Sequence, residues 1–378
     1  MAAAQILIPD IADGAGARLT IDLDALVANY RILAAQVAPA RVAAVVKADA
    51  YGLGAAIVAP ALWRAGARDF FVAHLGEAAL LAPVLPPPSR LHILNGLMPG
   101  AEAACVALGA IPVLNSLDQV EGWARAARRI GRSLPAVMQI DSGMSRLGLP
   151  PADAETLAAD PARLAGIDVT LVMSHLACGD EPASPANAAQ GAAFARLAAL
   201  FPGVPRSLAN SGGAFLPGLG KYDLVRPGIA LYGGAPQEGL ANPMWPVVAL
   251  EARIVQVRDV PPGVGVGYGL TSVADHPRRI ATIGVGYADG WPRRLGGRGS
   301  AFIAGQRVPI AGRVSMDSMT LDVTDVPPAA LGYGAPVELI GPHQTIDDVA
   351  RDAETIAYEI LTQLGTRYAR DYLPVKGG

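Results

Sequence analysis

Short apolar runs recur through the first two thirds of the chain at helix-plus-strand spacing. They are Val42–Val46, Asp69–Val72, Leu91–Leu94, Ile111–Leu114, Ala136–Ile140, Val169–Ser174, Arg206–Ala209 and Leu224–Val225, eight in all. Alanine-rich stretches of helical length separate most of them, most clearly Ala55–Ala65, Gly76–Leu81, Leu117–Ile130, Ala152–Ala159 and Asn187–Leu200. Strands alternating with helices predict a parallel sheet, and eight such units predict a (β/α)8 barrel. Gly and Pro crowd Gly228–Ala249, so the eighth helix is the least marked.

The texture changes near Gly239–Pro246. Beyond it the runs shorten and alternate: Leu250–Val257, Arg279–Gly284, Ala301–Ile303, Gln306–Ile310, Met319–Val323 and Pro336–Ile340. Close-set turn residues between them predict a mainly-β domain, followed by one helix over Asp347–Leu361 with Thr345 as N-cap. The reading is an α/β chain, with the barrel over residues 12–240 and the β-domain over 241–378. Met1–Ile11, strand-like at its start, is expected to pair with that second domain.

Polar groups end several barrel runs: Lys47, His74, Asn95, Asn115, Asp141, His175, Asn210 and Arg226. Such barrels carry their active site at the C-terminal strand ends, so this edge is the expected site. Lys47 stands out by composition. The chain holds three lysines, Lys47, Lys221 and Lys376, among 30 basic residues. An amine can lose its proton and bond covalently to a carbonyl; a guanidinium cannot be deprotonated in a protein.

Charge and cysteine content narrow the alternatives. A net charge of −3 gives no reason to expect nucleic acid or an anionic membrane as partner. The N-terminus lacks a basic n-region, and apolar stretches are broken short of a membrane span. Cys105 and Cys178 are too few for a disulfide framework, and the histidines show no metal-ligand spacing. A cytoplasmic protein without a metal is expected.

Three further segments carry chemistry. Asp141–Gly148 sets Arg146 in a glycine-bracketed loop, Ala209–Gly213 supplies hydroxyl and backbone donors, and Val225–Gly233 follows with Arg226 and Gly228. The last two fall where barrels often hold phosphate, and small residues let backbone N–H groups approach an anion. A lysine for covalent chemistry beside a phosphate cradle points to pyridoxal 5'-phosphate.

With these motifs in order (V-V-K-A-D-A-Y-G, D-S-G-M-S-R-L-G, A-N-S-G, R-P-G-I-A-L-Y-G, V-G-Y-G, G-Y-A-D-G and G-R-V-S-M-D), the chain resembles the alanine racemase family from Leu19 to about Tyr372. The resemblance implies a pyridoxal-phosphate isomerase that interconverts L- and D-alanine, the latter a peptidoglycan precursor. It also implies a head-to-tail homodimer with shared active sites. By motif, Lys47 corresponds to the residue bonded to the cofactor aldehyde, and Tyr268 to a second catalytic base supplied across the dimer. Tyr51, Ser211, Gly228 and Ile229 correspond to phosphate contacts, with Asn210 beside them. Arg226 corresponds to the pyridine-nitrogen partner, with His175 in its polar chain. Arg146 and Met316 correspond to substrate contacts. Two bases on opposite faces suit racemisation. A phenol ordinarily ionises near a pKa of about 10 and needs polar help to act as one.

The chain departs from the pattern at Leu53, Ser315, Gln139 and Thr366. Gln139 stands where many members have a carbamylated lysine; its amide oxygen is expected to accept from Arg146. A broader amino-acid or serine racemase is the alternative on the same scaffold. A related decarboxylase would want a cysteine in the β-domain, and both cysteines precede it. A non-catalytic cofactor carrier would lack the domain bearing Tyr268.

Overall fold

The computed structural model describes residues 14–375, so Met1–Ile11 lies outside the described residues. The chain divides into two compact units, one from Ala25 to Trp245 and one joining the chain up to Asp24 with Pro246 onward. The strand that opens the described chain, β1 (Ala17–Asp22), bonds antiparallel to β11 (Val248–Val260) and parallel to β19 (Ala369–Leu373). Backbone pairing therefore places β1 in the β-unit.

Helix α1 (Leu23–Val37) leads into the barrel. The barrel strands are β2 (Arg41–Val42), β3 (Ala44–Val45), β4 (Asp69–Val72), β5 (Arg90–Ile93), β6 (Ile111–Leu114), β7 (Leu134–Gln139), β8 (Ile167–Met173), β9 (Arg206–Ser207) and β10 (Leu224–Val225). β3 to β9 form one parallel sheet in sequence order, and β2 pairs in parallel with β10. β2 and β3 are one extended segment interrupted only at Ala43, whose N–H still bonds Val225 O at 2.8 Å. The bonds Asp223 N to Arg206 O (3.0 Å) and Arg226 N to Ala209 O (2.9 Å) then join β9 to β10. Eight extended segments thus close the ring that the spacing predicts. Both faces of β4 and β6 are buried throughout, as strands between a barrel interior and outer helices must be.

The outer helices are α3 (Ala55–Arg64), α4 (Leu75–Leu81), α5 (Glu102–Leu108), α6 (Leu117–Ile130), α7 (Pro151–Ala159) and α8 (Pro185–Ala198); the short α9 (Ser211–Phe215) follows β9. α6 shows its signals plainly: Ser116 Oγ accepts from Gln119 N, and Gly131 closes the helix at φ 73°. After β10 the chain makes a single 3-10 turn, Ile229–Tyr232, between Gly228 and Gly233, as its glycine content foreshadows.

The remaining strands are β12 (Gly265–Val266), β13 (Ser272–Val273), β14 (Arg278–Ile283), β15 (Ser300–Ile303), β16 (Gln306–Pro309), β17 (Met319–Asp322) and β18 (Pro336–Ile340). The β-unit sheet runs β16–β15–β18–β11–β1–β19; β14 pairs with β11 and β17 with β14, and β12 and β13 pair as a separate two-stranded sheet. β11 alternates buried and open positions, the mark of one covered face. The single helix expected over Asp347–Leu361 is two, α10 (Ile346–Asp352) and α11 (Ala357–Gln363). Thr345 caps the first in a capping box with Asp348, but Glu354 turns left-handed at φ 53° and ends the run. Among the described residues no helix is long and apolar enough to cross a membrane, and no cluster of His, Cys, Asp and Glu could hold a metal.

Candidate active site

Lys47 begins the segment α2 (Lys47–Gly52), and that segment is not an ordinary helix. Ala48, Asp49, Ala50 and Tyr51 all lie in the left-handed region, with φ from 53° to 58°. For L-residues this conformation costs about 1–2 kcal/mol each, so the surroundings must impose it. Val46 O accepts from Ala50 N at 2.9 Å, and Asp49 Oδ1 accepts from Ala55 N at 2.7 Å. Tyr51 is buried against Tyr232, ring centroids 4.7 Å apart, and the Tyr232 hydroxyl donates to Val45 O at 2.9 Å. The result is a rigid left-handed turn with a half-buried lysine at its head. Burial lowers the Lys47 pKa and the Arg146 charge lowers it further, while Glu77 opposes both. That direction favours the neutral, nucleophilic amine.

Facing Tyr51 is a cradle of backbone and hydroxyls. Asn210 Oδ1 accepts from Gly213 N (2.9 Å) and caps α9, which fixes the adjacent Ser211. Ser211 Oγ accepts from Gly228 N at 2.9 Å and Ala230 N at 3.3 Å, which draws α9 to the turn containing Ile229. A side chain at Gly228 would have its Cβ 2.0 Å from the Tyr51 hydroxyl, so only glycine leaves that hydroxyl room. Two hydroxyls and a bare stretch of backbone therefore converge where a phosphate needs donors.

Arg226 lies beyond the end of β10 and is buried. It donates to Ser207 Oγ and to Ser174 O, while Ser174 Oγ meets Ser142 Oγ at 2.7 Å and Ser207 Oγ donates to Leu224 O at 2.5 Å. Burial draws its pKa down to about 10, which still leaves it charged. A buried cation held only by neutral oxygens retains the capacity to donate to a further acceptor. The half-buried His175 is pushed down to about 3 by burial and then by Arg226, Arg146 and Lys47, so the ring stays neutral. Those four residues share one electrostatic environment at one end of the barrel. Ser142, Ser174 and Ser207 escaped the sequence reading; the available signal was a hydroxyl inside or just past an apolar run.

Arg146 is exposed. Gln139, expected to accept from it, instead donates: its Nε2 bonds Leu147 O at 3.2 Å, one residue past the arginine. Tyr268 and Met316 belong to the β-unit. Tyr268 starts a 3-10 turn after Gly267 and is 70% exposed; Met316 is 53% exposed, with its carbonyl held by Ala288 N at 2.9 Å. Both side chains are open to solvent within their own unit.

Known proteins match the chain over both units. The family model for the alanine racemase N-terminal domain matches residues 21–236, and that for the C-terminal domain matches residues 247–372. An alanine racemase from Brucella canis is 56% identical, with 96% of this chain and 95% of that protein covered. A catabolic alanine racemase from Agrobacterium fabrum is 52% identical over 98% of this chain and 95% of its own length. Among solved structures, the alanine racemase from Bartonella henselae with covalently bound pyridoxal phosphate superposes with a TM-score of 0.92 at 45% identity. The match covers 95% of this chain and all (100%) of that one.

Proposed function

Because the chain belongs to the alanine racemase family, we propose that it interconverts L-alanine and D-alanine with pyridoxal 5'-phosphate as cofactor. The observation that carries this reading is one barrel end bearing an amine of lowered pKa, a hydroxyl-and-backbone cradle and a buried arginine without a carboxylate partner. The residues fit the cofactor. Lys47 is the amine for its aldehyde, and Tyr51, Ser211, Gly228 and Ile229 form the phosphate cradle that Asn210 braces. Arg226 is the donor for its ring nitrogen. When bound, the cofactor supplies an electron sink that makes the Cα proton of an attached amino acid removable.

The chain's own groups decide where that proton goes. The Lys47 amine takes and returns a proton on one face, and the Tyr268 phenol does so on the other. Arg226 can only donate, so it would hold a ring nitrogen that accepts, which would temper electron withdrawal and favour return of a proton to Cα over transfer of the amino group. His175, neutral and next to Arg226 in charge environment, continues the polar chain that a phenol base requires. Arg146 is the cation for the substrate carboxylate, with Met316 lining the pocket. The exposure of Tyr268 and Met316 supports a homodimer in which the partner subunit's Tyr268 completes the site. A cytoplasmic enzyme acting on a small amino acid, with no nucleic acid or membrane as partner, completes the reading.

A chiral assay of the purified protein on L-alanine, L-serine and L-lysine tests it. Fastest racemisation of alanine is expected; a preference for serine installs the broader racemase, and no racemisation of any of them refutes the reading. In heavy water, Tyr268→Phe should slow racemisation by about 10² to 10⁴-fold. Exchange of the D-alanine α-proton should survive better than that of L-alanine, and equal loss from both would return Tyr268 to a structural role.

A further inference from the structure

Glu77 stands in the first turn of α4. Its Oε2 accepts from Ala73 N at 2.6 Å and His74 N at 3.0 Å, the normal closure of a helix start. A cap accounts for that oxygen alone. Oε1 reaches another element and accepts from Ala48 N at 2.5 Å. Ala48 is the residue directly after Lys47 and the first of the four in the left-handed run. One acid thus laces the end of β4 to the turn that leaves β3. Both oxygens face N–H donors, so an amide in its place would set its own NH₂ against one of them.

We propose that Glu77 is a positioning residue for Lys47, whose carboxylate clamps the left-handed turn to the end of β4 and so fixes the backbone from which the Lys47 amine departs. The inference rests on the assignment of Lys47 made above. It explains how a strained, non-glycine turn persists at the point where covalent chemistry needs a fixed amine. The same carboxylate acts on the charge of Lys47, opposing burial and Arg146. Removing it therefore has two separable effects, one on geometry and one on amine basicity.

With three lysines in the chain, each can be followed by mass spectrometry of its own peptide. The full-length chain is treated with hydroxylamine to free every amine, then acetylated competitively across a pH series. In Glu77→Gln the Lys47 midpoint should fall by about half a pH unit while Lys221 and Lys376 stay put. For alanine, kcat should fall by roughly 10 to 100-fold with KM changed little. Glu77→Asp keeps the charge but shortens the reach, so kcat should fall without the shift in midpoint. Adding Ala48→Gly to Glu77→Gln relieves the left-handed strain and should recover part of kcat while the midpoint stays low. An unmoved Lys47 midpoint with unchanged kcat in Glu77→Gln overturns the proposal; should that variant not fold, undiminished kcat in Glu77→Asp overturns it. The labelling reads the hold of the Glu77 carboxylate on the Lys47 amine even in a protein that fails to racemise alanine, so the two readings fail separately.

Discussion

The two ends of the barrel carry clusters of similar residues and use them oppositely. At the N-terminal end, Asp69 is buried between Arg41 (2.8 Å), a two-pronged Arg90 (2.6 Å to each oxygen) and His92 Nε2 (3.0 Å). Burial alone would raise the Asp69 pKa, yet the bonds from Arg90 and His92 outweigh it and hold the carboxyl well below the usual range. Both oxygens of the carboxylate are taken by cationic or ring donors of the protein itself. At the C-terminal end, Lys47, Arg146, His175 and Arg226 gather, and the nearby acids are engaged elsewhere. Asp141 Oδ1 accepts from the backbone N–H of Gly143, Met144 and Ser145; Asp49 and Glu77 likewise accept from backbone. A closed set of charges ties strands together, whereas an open set waits for an anion. The assignment of stability to one end and chemistry to the other follows from whether the cations of each end bond to an acid.

Removing a cation from the open end should have the largest effect. Lys47→Ala should reduce racemisation by about 10⁴-fold or more and abolish a near-visible absorbance band, while leaving chemical denaturation nearly unchanged. A band that persists and reduces with borohydride would mean that another amine holds the cofactor. Breaking the closed end should do the reverse. Asp69→Asn leaves His92 and two arginines facing an amide. Arg41 and Arg90 are 54% and 45% exposed, so water softens the loss to about 2 kcal/mol of unfolding free energy, with kcat retained. A fall in kcat rivalling that of Lys47→Ala would show that the two ends are not separable.

Much of this division was legible in the residues. The eight strand runs, the change of texture near residue 240 and the polar strand ends all follow from side-chain periodicity, which burial enforces. Lys47 was legible because lysine is scarce in this chain. The left-handed turn was not, because Ala48 and Ala50 carry no local preference for it and a single aspartate between them predicts at most one such residue; partners outside the turn impose it. The serines that hold Arg226 were hidden for a similar reason: a serine in a strand looks like any small residue until the strand across the ring is known. Two helices were read as one because nothing but the backbone at Glu354 interrupts an otherwise helical pattern. Asp69 opens an apolar run and reads as a strand residue; its three partners come from two other strands, Arg41 from β2 and Arg90 and His92 from β5.

The smallest expected effect is the most direct measure of the difference between the ends, since each contains one perturbed histidine. His175 is pushed down to about 3, first by burial and then by three cations. His92 is also lowered, by burial first, but Asp69 opposes the change. An unfolded histidine ionises near its ordinary value of about 6.5. Between that value and the folded one, the unfolded chain binds more protons than the folded protein. Stability therefore rises with pH across that window and is lost on acidification from about 6.5 downward. Asp69 works in the same direction but only below about 3.9, where an unfolded aspartate begins to take up its proton. Between roughly pH 4.5 and 6.5 the slope thus belongs to histidines. One histidine that titrates only when unfolded contributes at most about 1.4 kcal/mol per pH unit, and the half-buried His175 less. His175→Gln should flatten the stability–pH slope in this window, and His92→Gln should flatten it less, because Asp69 already offsets part of the burial penalty there. Urea denaturation at steps of pH gives both slopes. If His92→Gln flattens the curve as much as His175→Gln, Asp69 does not balance its cluster, and the contrast between a closed and an open end fails.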